Sequence, residues 1–229
     1  MRIAAFLLLA SLTLPTTAHV DDHHPRVFDS VRPLSMIVLH DLTTNITLYR
    51  NICTVSSINA PLHLWLTAAH CILKTEMSEE GDGVRITTPR SGLVIDGHPV
   101  YVVKMDESAD LAILFTPVLS LPALRFADRA PLWEQRVRVV GYPFGFTAVT
   151  IAEGTIATPE QPFFDADFSP SYMLFTAQIA PGNSGSPVIN MRGEIVSVAQ
   201  IGWGRGYSSG GGSTYARLKA FAGGYFERH

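Results

Sequence analysis

A serine between two glycines stands in residues 181–187, PGNSGSP. A nucleophilic serine needs a tight turn that exposes its hydroxyl and that aims backbone N–H groups at the oxyanion developing on the substrate. Glycines permit the dihedral angles of such a turn and the close approach of a substrate. Ser184 is therefore a candidate nucleophile, although a Gly/Ser-rich turn by itself is usually only a turn.

A histidine stands near the end of the apolar segment 64–71, LWLTAAHC. Imidazole titrates near neutral pH, so His70 could accept the proton of a serine hydroxyl and later return it. The alternative is a buried structural histidine, and for a single histidine that alternative would be preferred.

An aspartate opens the apolar segment 110–114, DLAIL. A carboxylate that enters a protein core is costly unless it is hydrogen-bonded or paired. Asp110 could meet that need by orienting an imidazole and stabilising its protonated form. The alternative is a surface residue that caps the start of a strand. Each motif alone leaves its alternative open, whereas the three together, in the order His, Asp, Ser, predict a catalytic triad.

Short β-like segments must position these residues. They are rich in Val, Ile, Leu, Thr and Tyr, and Gly, Pro, Asn or Asp separate them. About a dozen short strands in one chain are typical of an all-β sandwich or barrel. The predicted strands include Ser35–His40, Leu64–Thr67, Val84–Thr88, Val100–Met105, Leu111–Phe115, Val137–Tyr142, Thr147–Ile156, Met173–Gln178, Pro187–Asn190 and Glu194–Ile201.

A proline-containing, aperiodic stretch at 116–131 divides the chain into two halves. One helix is predicted, at Tyr215–Glu227, where apolar residues recur on one face. Gly210–Gly212 are expected to form a flexible loop beside the substrate pocket. The predicted boundaries are a signal peptide at 1–18, a tail at 19–32, a first β-barrel at 33–120, a linker at 121–131, and a second β-barrel with a C-terminal helix at 132–229.

The composition excludes two broad classes of protein. Hydrophobic residues make up 47% of the chain and charged residues 16%, which supports a buried core and argues against disorder. The formal net charge of -3 and the scattered basic residues argue against nucleic-acid binding.

The N-terminus has the pattern of a signal peptide. Arg2 precedes the apolar run Ile3–Leu14, and small residues follow up to Ala18. The run is short for a membrane span, although an uncleaved anchor is the alternative. We therefore expect a secreted or periplasmic protein that has no membrane contact once the signal is removed.

Two cysteines, Cys53 and Cys71, are the only ones in the chain. An exported protein meets an oxidising environment, which favours a disulfide between them, and two free buried thiols are the alternative. Because Cys71 directly follows His70, a bridge would fix the turn that carries this histidine.

In these motifs the chain resembles the trypsin/chymotrypsin-like serine peptidases, and most closely their bacterial glutamyl-endopeptidase and HtrA-like branch. The segments around His70, Asp110 and Ser184 match the three motifs of that family in order, and Cys53 lies where the disulfide partner of Cys71 is expected. The resemblance implies two six-stranded antiparallel β-barrels with the active site between them. It also implies an oxyanion hole formed by the amides of Gly182 and Ser184.

The primary substrate pocket can be placed only by matching positions to the family. The resemblance puts Gln178 and Ile179 near its base and Ile201, Gly202 and Ser213 along its walls. No charged residue stands among them, and Ala199 stands where glutamyl-specific members have a histidine. We expect specificity for a medium-sized, uncharged side chain.

The predicted function is that of an exported serine endopeptidase that acts on polypeptides as a monomer, through an acyl-enzyme and without a cofactor or metal. The alternative is a catalytically silent, protease-like binding protein, which would normally lack one of the triad residues. An α/β-hydrolase is rejected because its histidine follows its serine, and here only His229 follows Ser184.

Overall fold

The computed structural model describes residues 27–41, 46–73, 80–81, 84–85, 92–161, 171–204, 206 and 208–226. The predicted signal peptide and most of the predicted tail lie outside these residues. Among the described residues, no helix is long and apolar enough to cross a membrane.

The N-terminal half of the chain forms an antiparallel sheet that we call the half-barrel. A separate pair of two-residue strands, β4 (Glu80–Gly81) and β5 (Val84–Arg85), lies outside it. The strands of the half-barrel are β1 (Val31–Asp41), β2 (Ile46–Asn59), β3 (Leu64–Thr67), β6 (Leu93–Ile95), β7 (His98–Pro99), β8 (Tyr101–Asp106) and β9 (Leu111–Phe115). Their order in the sheet is β7-β6-β1-β2-β3-β9-β8.

The C-terminal half forms a closed six-stranded barrel, which we call the closed barrel. Its strands are β10 (Arg136–Gly141), β11 (Thr150–Gln161), β12 (Tyr172–Phe175), β13 (Pro187–Asn190), β14 (Ile195–Trp203) and β15 (Ser209–Ser213). They close in the order β10-β11-β12-β15-β14-β13, and every pairing is antiparallel.

The predicted all-β fold with two barrel-like units is confirmed. Within the described residues, the first unit has seven strands and stays open as a half-barrel, whereas six closed strands were expected. β1 begins at Val31, slightly before the expected start of the first unit. Between β9 and β10 the chain forms only one isolated bridge, from Phe126 to Ile195 of β14.

The C-terminal helix α2 (Tyr215–Ala222) begins at the predicted residue, where the hydroxyl of Thr214 accepts a hydrogen bond from the N–H of Arg217. It ends before the predicted Glu227, because two glycines follow Ala222 and glycine has low helix propensity. Lys104 of β8 donates to the carbonyl oxygen of Phe221 at 2.8 Å and so ties the last turn of α2 to the half-barrel.

The prediction of a flexible loop at Gly210–Gly212 is wrong. These residues form the buried strand β15, which pairs with β12 and β14. A Cβ atom at Gly210 would collide with Phe175 and Ile179, and one at Gly212 would collide with the backbone of Val198. The glycines are therefore required by close packing inside the closed barrel.

Apolar side chains form three buried clusters. One fills the half-barrel around Trp65, a second fills the closed barrel around Phe175, and a third lies between the two units and includes Leu66, Ile195 and Phe221. The cluster between the units fixes how they pack, which matters because residues from both line the same cleft.

Candidate active site

His70 begins the single helical turn α1 (His70–Leu73), which Ala68 and Ala69 separate from the end of β3. The N–H of Cys71 donates to the carbonyl oxygen of Ala68 at 3.3 Å, and a disulfide links Cys71 to Cys53 of β2. The cysteine pairing expected from the sequence is therefore present. It holds the turn that carries the imidazole against the neighbouring strand.

Asp110 stands at the end of a tight turn that leads into β9. The carboxylate of Asp106 accepts hydrogen bonds from the Ser108 hydroxyl at 2.7 Å and from the N–H of Ala109 at 3.0 Å. These two bonds, the Ser108 bond foremost, hold the pKa of Asp106 below its ordinary value. Asp110 itself has a φ of 51°, in the left-handed region that non-glycine residues seldom occupy.

His70 and Asp110 contact each other twice. One carboxylate oxygen of Asp110 lies 2.7 Å from Nδ1 of His70, and the other accepts the backbone N–H of His70 at 2.8 Å. A proton on Nδ1 completes the first bond and leaves Nε2 free to accept a proton from a nucleophile. The aspartate thus fixes both the position of the ring and its tautomer.

Gln200 of β14 supports this pair from the closed barrel. Its buried side-chain amide donates to the carbonyl oxygens of Ala109 and Asp110, each at 2.8 Å. Two backbone acceptors, one of them at the unusual conformation of Asp110, are thereby satisfied by one side chain from the other unit. Sequence reasoning missed this residue, and the only clue was an amide among apolar residues in a predicted strand.

Ser184 lies in the predicted turn, between β12 and β13 of the closed barrel. Gly182 and Gly185 have φ values of 98° and 83°, which glycine adopts without strain. A Cβ atom at Gly185 would collide with Thr54 and Thr67, and one at Gly182 with the carbonyl oxygen of Tyr142. Within the described residues, the N–H groups of Gly182 and Ser184 donate to no protein acceptor and so remain available to a substrate oxygen.

Thr54 of β2 fastens the serine turn to the half-barrel. Its N–H donates to the carbonyl oxygen of Ser184 at 2.9 Å, and its hydroxyl donates to that of Gly182 at 2.9 Å. The same hydroxyl accepts the N–H of Tyr142 at 3.1 Å. This fully buried threonine is a second residue that the sequence analysis did not single out.

One cavity of about 370 Å³ brings His70 and Ser184 together. The Cys71 sulfur lies 3.7 Å from the carbonyl oxygen of Ser184, so the histidine and serine turns are in contact. Within the described residues, Ser184 Oγ and His70 Nε2 do not form a hydrogen bond. Such bonds are often long before a substrate binds.

The structure brings only part of the predicted substrate pocket to this cavity. Ile179, Ile201 and Gly202 line it, together with Met36 and Ile52 of the half-barrel, which were not predicted. The side chain of Gln178 is exposed and donates to the carbonyl oxygen of Gly206, because it points to the opposite face of the chain from Ile179. Ser213 is buried, with its hydroxyl accepting the N–H of Val198 inside the closed barrel.

A group of potential metal ligands occurs at Cys53, His70 and Cys71, whose ligand atoms lie within 4.8 Å of one another. Both sulfurs belong to the disulfide, so neither can serve as a thiolate ligand while the bond is intact.

Relatives of known name match part of the chain. A probable DegP-like periplasmic serine endoprotease of Chlamydia pneumoniae is 33% identical over 104 residues, which are 44% of this chain and 21% of that protein. The magnetosome formation protease MamE of Magnetospirillum gryphiswaldense is 35% identical over 100 residues, which are 42% of this chain and 13% of that protein. The chain thus spans about a fifth or less of the length of these curated relatives.

The fold is similar to that of the Rv3671c protease of M. tuberculosis. The crystal structure of its active form superposes with a TM-score of 0.63 and 20% identity over 88% of this chain and 83% of that one. The inactive form gives a TM-score of 0.60. The model of the trypsin-like peptidase domain matches residues 53–198, which is more than half of the chain. The chain therefore belongs to the trypsin-like peptidase family.

Proposed function

We propose that this protein is an exported serine endopeptidase in which Ser184 is the nucleophile, His70 the general base and Asp110 the residue that orients the base. The observation that carries the proposal is the double contact of Asp110 with His70, beside a cavity whose wall includes Ser184. Family membership supports the same chemistry.

The mechanism follows from the arrangement of these three side chains. His70 Nε2 takes the proton of the Ser184 hydroxyl as Oγ attacks the scissile carbonyl carbon. The carboxylate of Asp110 stabilises the positive charge that the ring then carries. His70 next gives its proton to the leaving amine, and the acyl group remains on Ser184. Water then attacks the acyl carbon with the same imidazole as base. The ester bond to Ser184 breaks, His70 gives the proton to Oγ, and the acid is released.

The amides of Gly182 and Ser184 would bind the oxyanion of each tetrahedral intermediate. Thr54 supports this assignment because its hydrogen bonds to the carbonyl oxygens of the same two residues fix the turn. Donors that are already in place do not have to reorganise during the reaction.

The cavity supports a preference for an uncharged, apolar side chain on the acyl side of the scissile bond. It is lined by Ile179, Ile201 and Gly202 from the C-terminal half and by Ile52 and Met36 of the half-barrel. No carboxylate lines it among the described residues, so a basic substrate side chain would lose its hydration without gaining a partner. Replacing Ile179 with Asp should therefore shift cleavage toward basic residues.

Export is proposed from the N-terminal pattern, and the relatives named as periplasmic proteases support it. The disulfide is consistent with an oxidising compartment. We retain the proposed division into a signal peptide, two barrel units joined by residues 121–131, and a C-terminal helix. A monomer remains the working proposal for the mature protein.

The test is covalent labelling of the purified mature protein with a fluorophosphonate, read by intact mass. One adduct on the wild type is expected, and none on Ser184→Ala or His70→Ala, because the serine needs the imidazole to become nucleophilic. An unlabelled wild type with native circular dichroism would instead support a binding protein on a protease fold. Comparing chains that start at His19 and at Val27 would separate that result from a site blocked by the N-terminal segment.

A further inference from the structure

We call the cavity of about 370 Å³ that His70 and Ser184 line the catalytic cavity. A second cavity, of about 630 Å³, adjoins it. The two share Ile52, Pro181 and Gly182 as lining residues. Ile201 and Gly202 of β14 line only the catalytic cavity, whereas Tyr49 and Phe144 line only the second one. We call it the leaving-side cavity.

The catalytic chemistry determines which part of a substrate reaches the leaving-side cavity. When the oxygen of the scissile carbonyl lies at the amides of Gly182 and Ser184, the chain extends to both sides of it. The acyl side chain occupies the catalytic cavity against Ile179 and Ile201. The segment that carries the leaving amine would then pass Gly182, which lines both cavities, toward the second one.

Two aromatic side chains line the leaving-side cavity, beside Arg50, Asn51 and Thr147. Tyr49 and Phe144 line it, with 50% and 65% of their surface exposed. Phe146 is also half-exposed, and its ring centroid lies 6.0 Å from that of Phe144. Single exposed aromatics are ordinary, but two that line one cavity, with a third ring against one of them, form a patch of the kind that binds ligands.

The position of Phe144 is fixed by the backbone around it. Its φ of 56° lies in the left-handed region, which a phenylalanine occupies only when neighbouring contacts enforce it. Its N–H donates to the carbonyl oxygen of Pro181, and the side-chain amide of Asn51 donates to that of Phe146 at 3.1 Å. The amide oxygen of Asn51 accepts the hydroxyl of Ser35 at 2.7 Å. The ring is thus held at the cavity by a bonded turn although it is mostly exposed.

We propose that the leaving-side cavity binds an aromatic or large apolar side chain in the substrate segment that follows the scissile bond. The proposal rests on the serine-peptidase function above. Phe144 and Tyr49 would bind an aromatic ring by offset or edge-to-face contacts, and these add to the burial of apolar surface. Specificity would then be determined on both sides of the bond.

Acyl transfer measures binding at this cavity separately from acylation. A peptide thioester that ends in alanine or valine acylates Ser184 without any leaving-side residue. An added dipeptide amide then competes with water for the acyl-enzyme. Its amine nitrogen bonds to the acyl carbon as the Ser184 ester bond breaks, and His70 carries the amine proton to Oγ. The ratio of peptide to acid product reports how well each dipeptide binds.

Phenylalanyl and leucyl dipeptide amides should capture the acyl-enzyme about five to ten times better than the alanyl one. Phe144→Gly removes the ring and relieves the φ strain, so it should reduce the preference to about twofold or less while thioester turnover persists. Tyr49→Ser should reduce it in the same direction. Trp133→Ala is the matched control, because Trp133 is equally exposed but lies outside both cavities.

The outcomes separate this proposal from the function on which it rests. Equal capture of all dipeptides, or a preference that survives Phe144→Gly, would overturn the aromatic subsite while normal thioester turnover leaves the peptidase intact. Stronger capture of glutamyl dipeptides that is lost in Arg50→Gln would also overturn it, because the guanidinium of Arg50, which lines the same cavity, would then select the substrate. If the wild type shows neither thioester turnover nor a fluorophosphonate adduct, the function and the subsite both fail.

Discussion

The side-chain amide of Gln200 donates to the carbonyl oxygen of Asp110 at 2.8 Å, across the boundary between the closed barrel and the half-barrel. Asp110 has an unfavourable backbone conformation, and its carboxylate holds the imidazole of His70. The orientation of the His70 imidazole therefore depends on a strand of the unit that carries Ser184.

Replacing Gln200 with Leu should lower kcat/KM about tenfold to a hundredfold, because small displacements of catalytic groups have effects of this size. The free energy of unfolding should also fall by about 1–3 kcal/mol, since two buried carbonyl oxygens lose their donor. Peptide hydrolysis and urea denaturation measure the two effects. Ser197→Ala is the control, because it removes a buried hydrogen bond to Ser213 on the same strand without touching Asp110. If both variants lose stability but keep the wild-type kcat/KM, Gln200 has only a structural role.

Replacing Thr54 with Val should lower kcat about tenfold and leave KM nearly unchanged. Valine has the same shape but cannot bridge Tyr142 and Gly182, so the amides of Gly182 and Ser184, which we propose as oxyanion donors, would lose part of their alignment. Steady-state kinetics on one peptide provide the measurement. Thr150→Val, which loses a hydroxyl bond to Gly141, should keep wild-type kcat. A change confined to KM would argue that Thr54 shapes substrate binding instead.

Replacing Cys53 and Cys71 together with Ala should lower the free energy of unfolding by about 3 kcal/mol, because the disulfide closes a loop with a sequence separation of 18. Activity should fall as well, since the disulfide holds the turn that begins at His70. Urea denaturation with and without reductant measures stability. Reductant should weaken the wild type and have no effect on the double variant. Equal urea midpoints for the oxidised wild type and the variant would refute this estimate of the stability that the disulfide contributes.

Replacing Glu194 with Gln should destabilise the protein at neutral pH and have progressively less effect in acid. Burial raises the pKa of Glu194, but hydrogen bonds from Arg192 and Asn190 outweigh it and hold that pKa below its ordinary value of 4.5. A lowered folded-state pKa means that the carboxylate stabilises the fold above about pH 4.5 and loses this contribution as the pH falls through its folded-state value.

We expect a cost of about 1–2 kcal/mol at pH 7 for Glu194→Gln, in line with hydrogen bonds to charged groups and reduced because Arg192 is mostly exposed. Urea denaturation between pH 3 and pH 7 measures how the free energies of unfolding of the wild type and the variant converge as the pH falls. Glu153→Gln, in an exposed pair with Arg138, is the control whose smaller effect should disappear in high salt. A cost for Glu194→Gln that does not depend on pH would show that shape, and not charge, matters at this position.

Much of the fold could be read from local sequence. The predicted bounds of Leu64–Thr67, Leu111–Phe115 and Pro187–Asn190 coincide with β3, β9 and β13. These segments are short, apolar and bounded by turn residues, so local preference and burial agree. β2 was not predicted, because its mixture of polar and apolar residues is stabilised by pairing with β1 along most of its length.

The sequence by itself determined which residues can do chemistry, because the glycines around Ser184, the position of His70 beside Cys71 and the single carboxylate opening β9 are local patterns. The tertiary structure decided what supports and surrounds them. Gln200 reaches Asp110 from a different barrel unit. Gly210–Gly212 form a strand between β12 and β14, where the surrounding residues pack too closely for a side chain. Such contacts join residues that are distant in sequence, and no local periodicity encodes them.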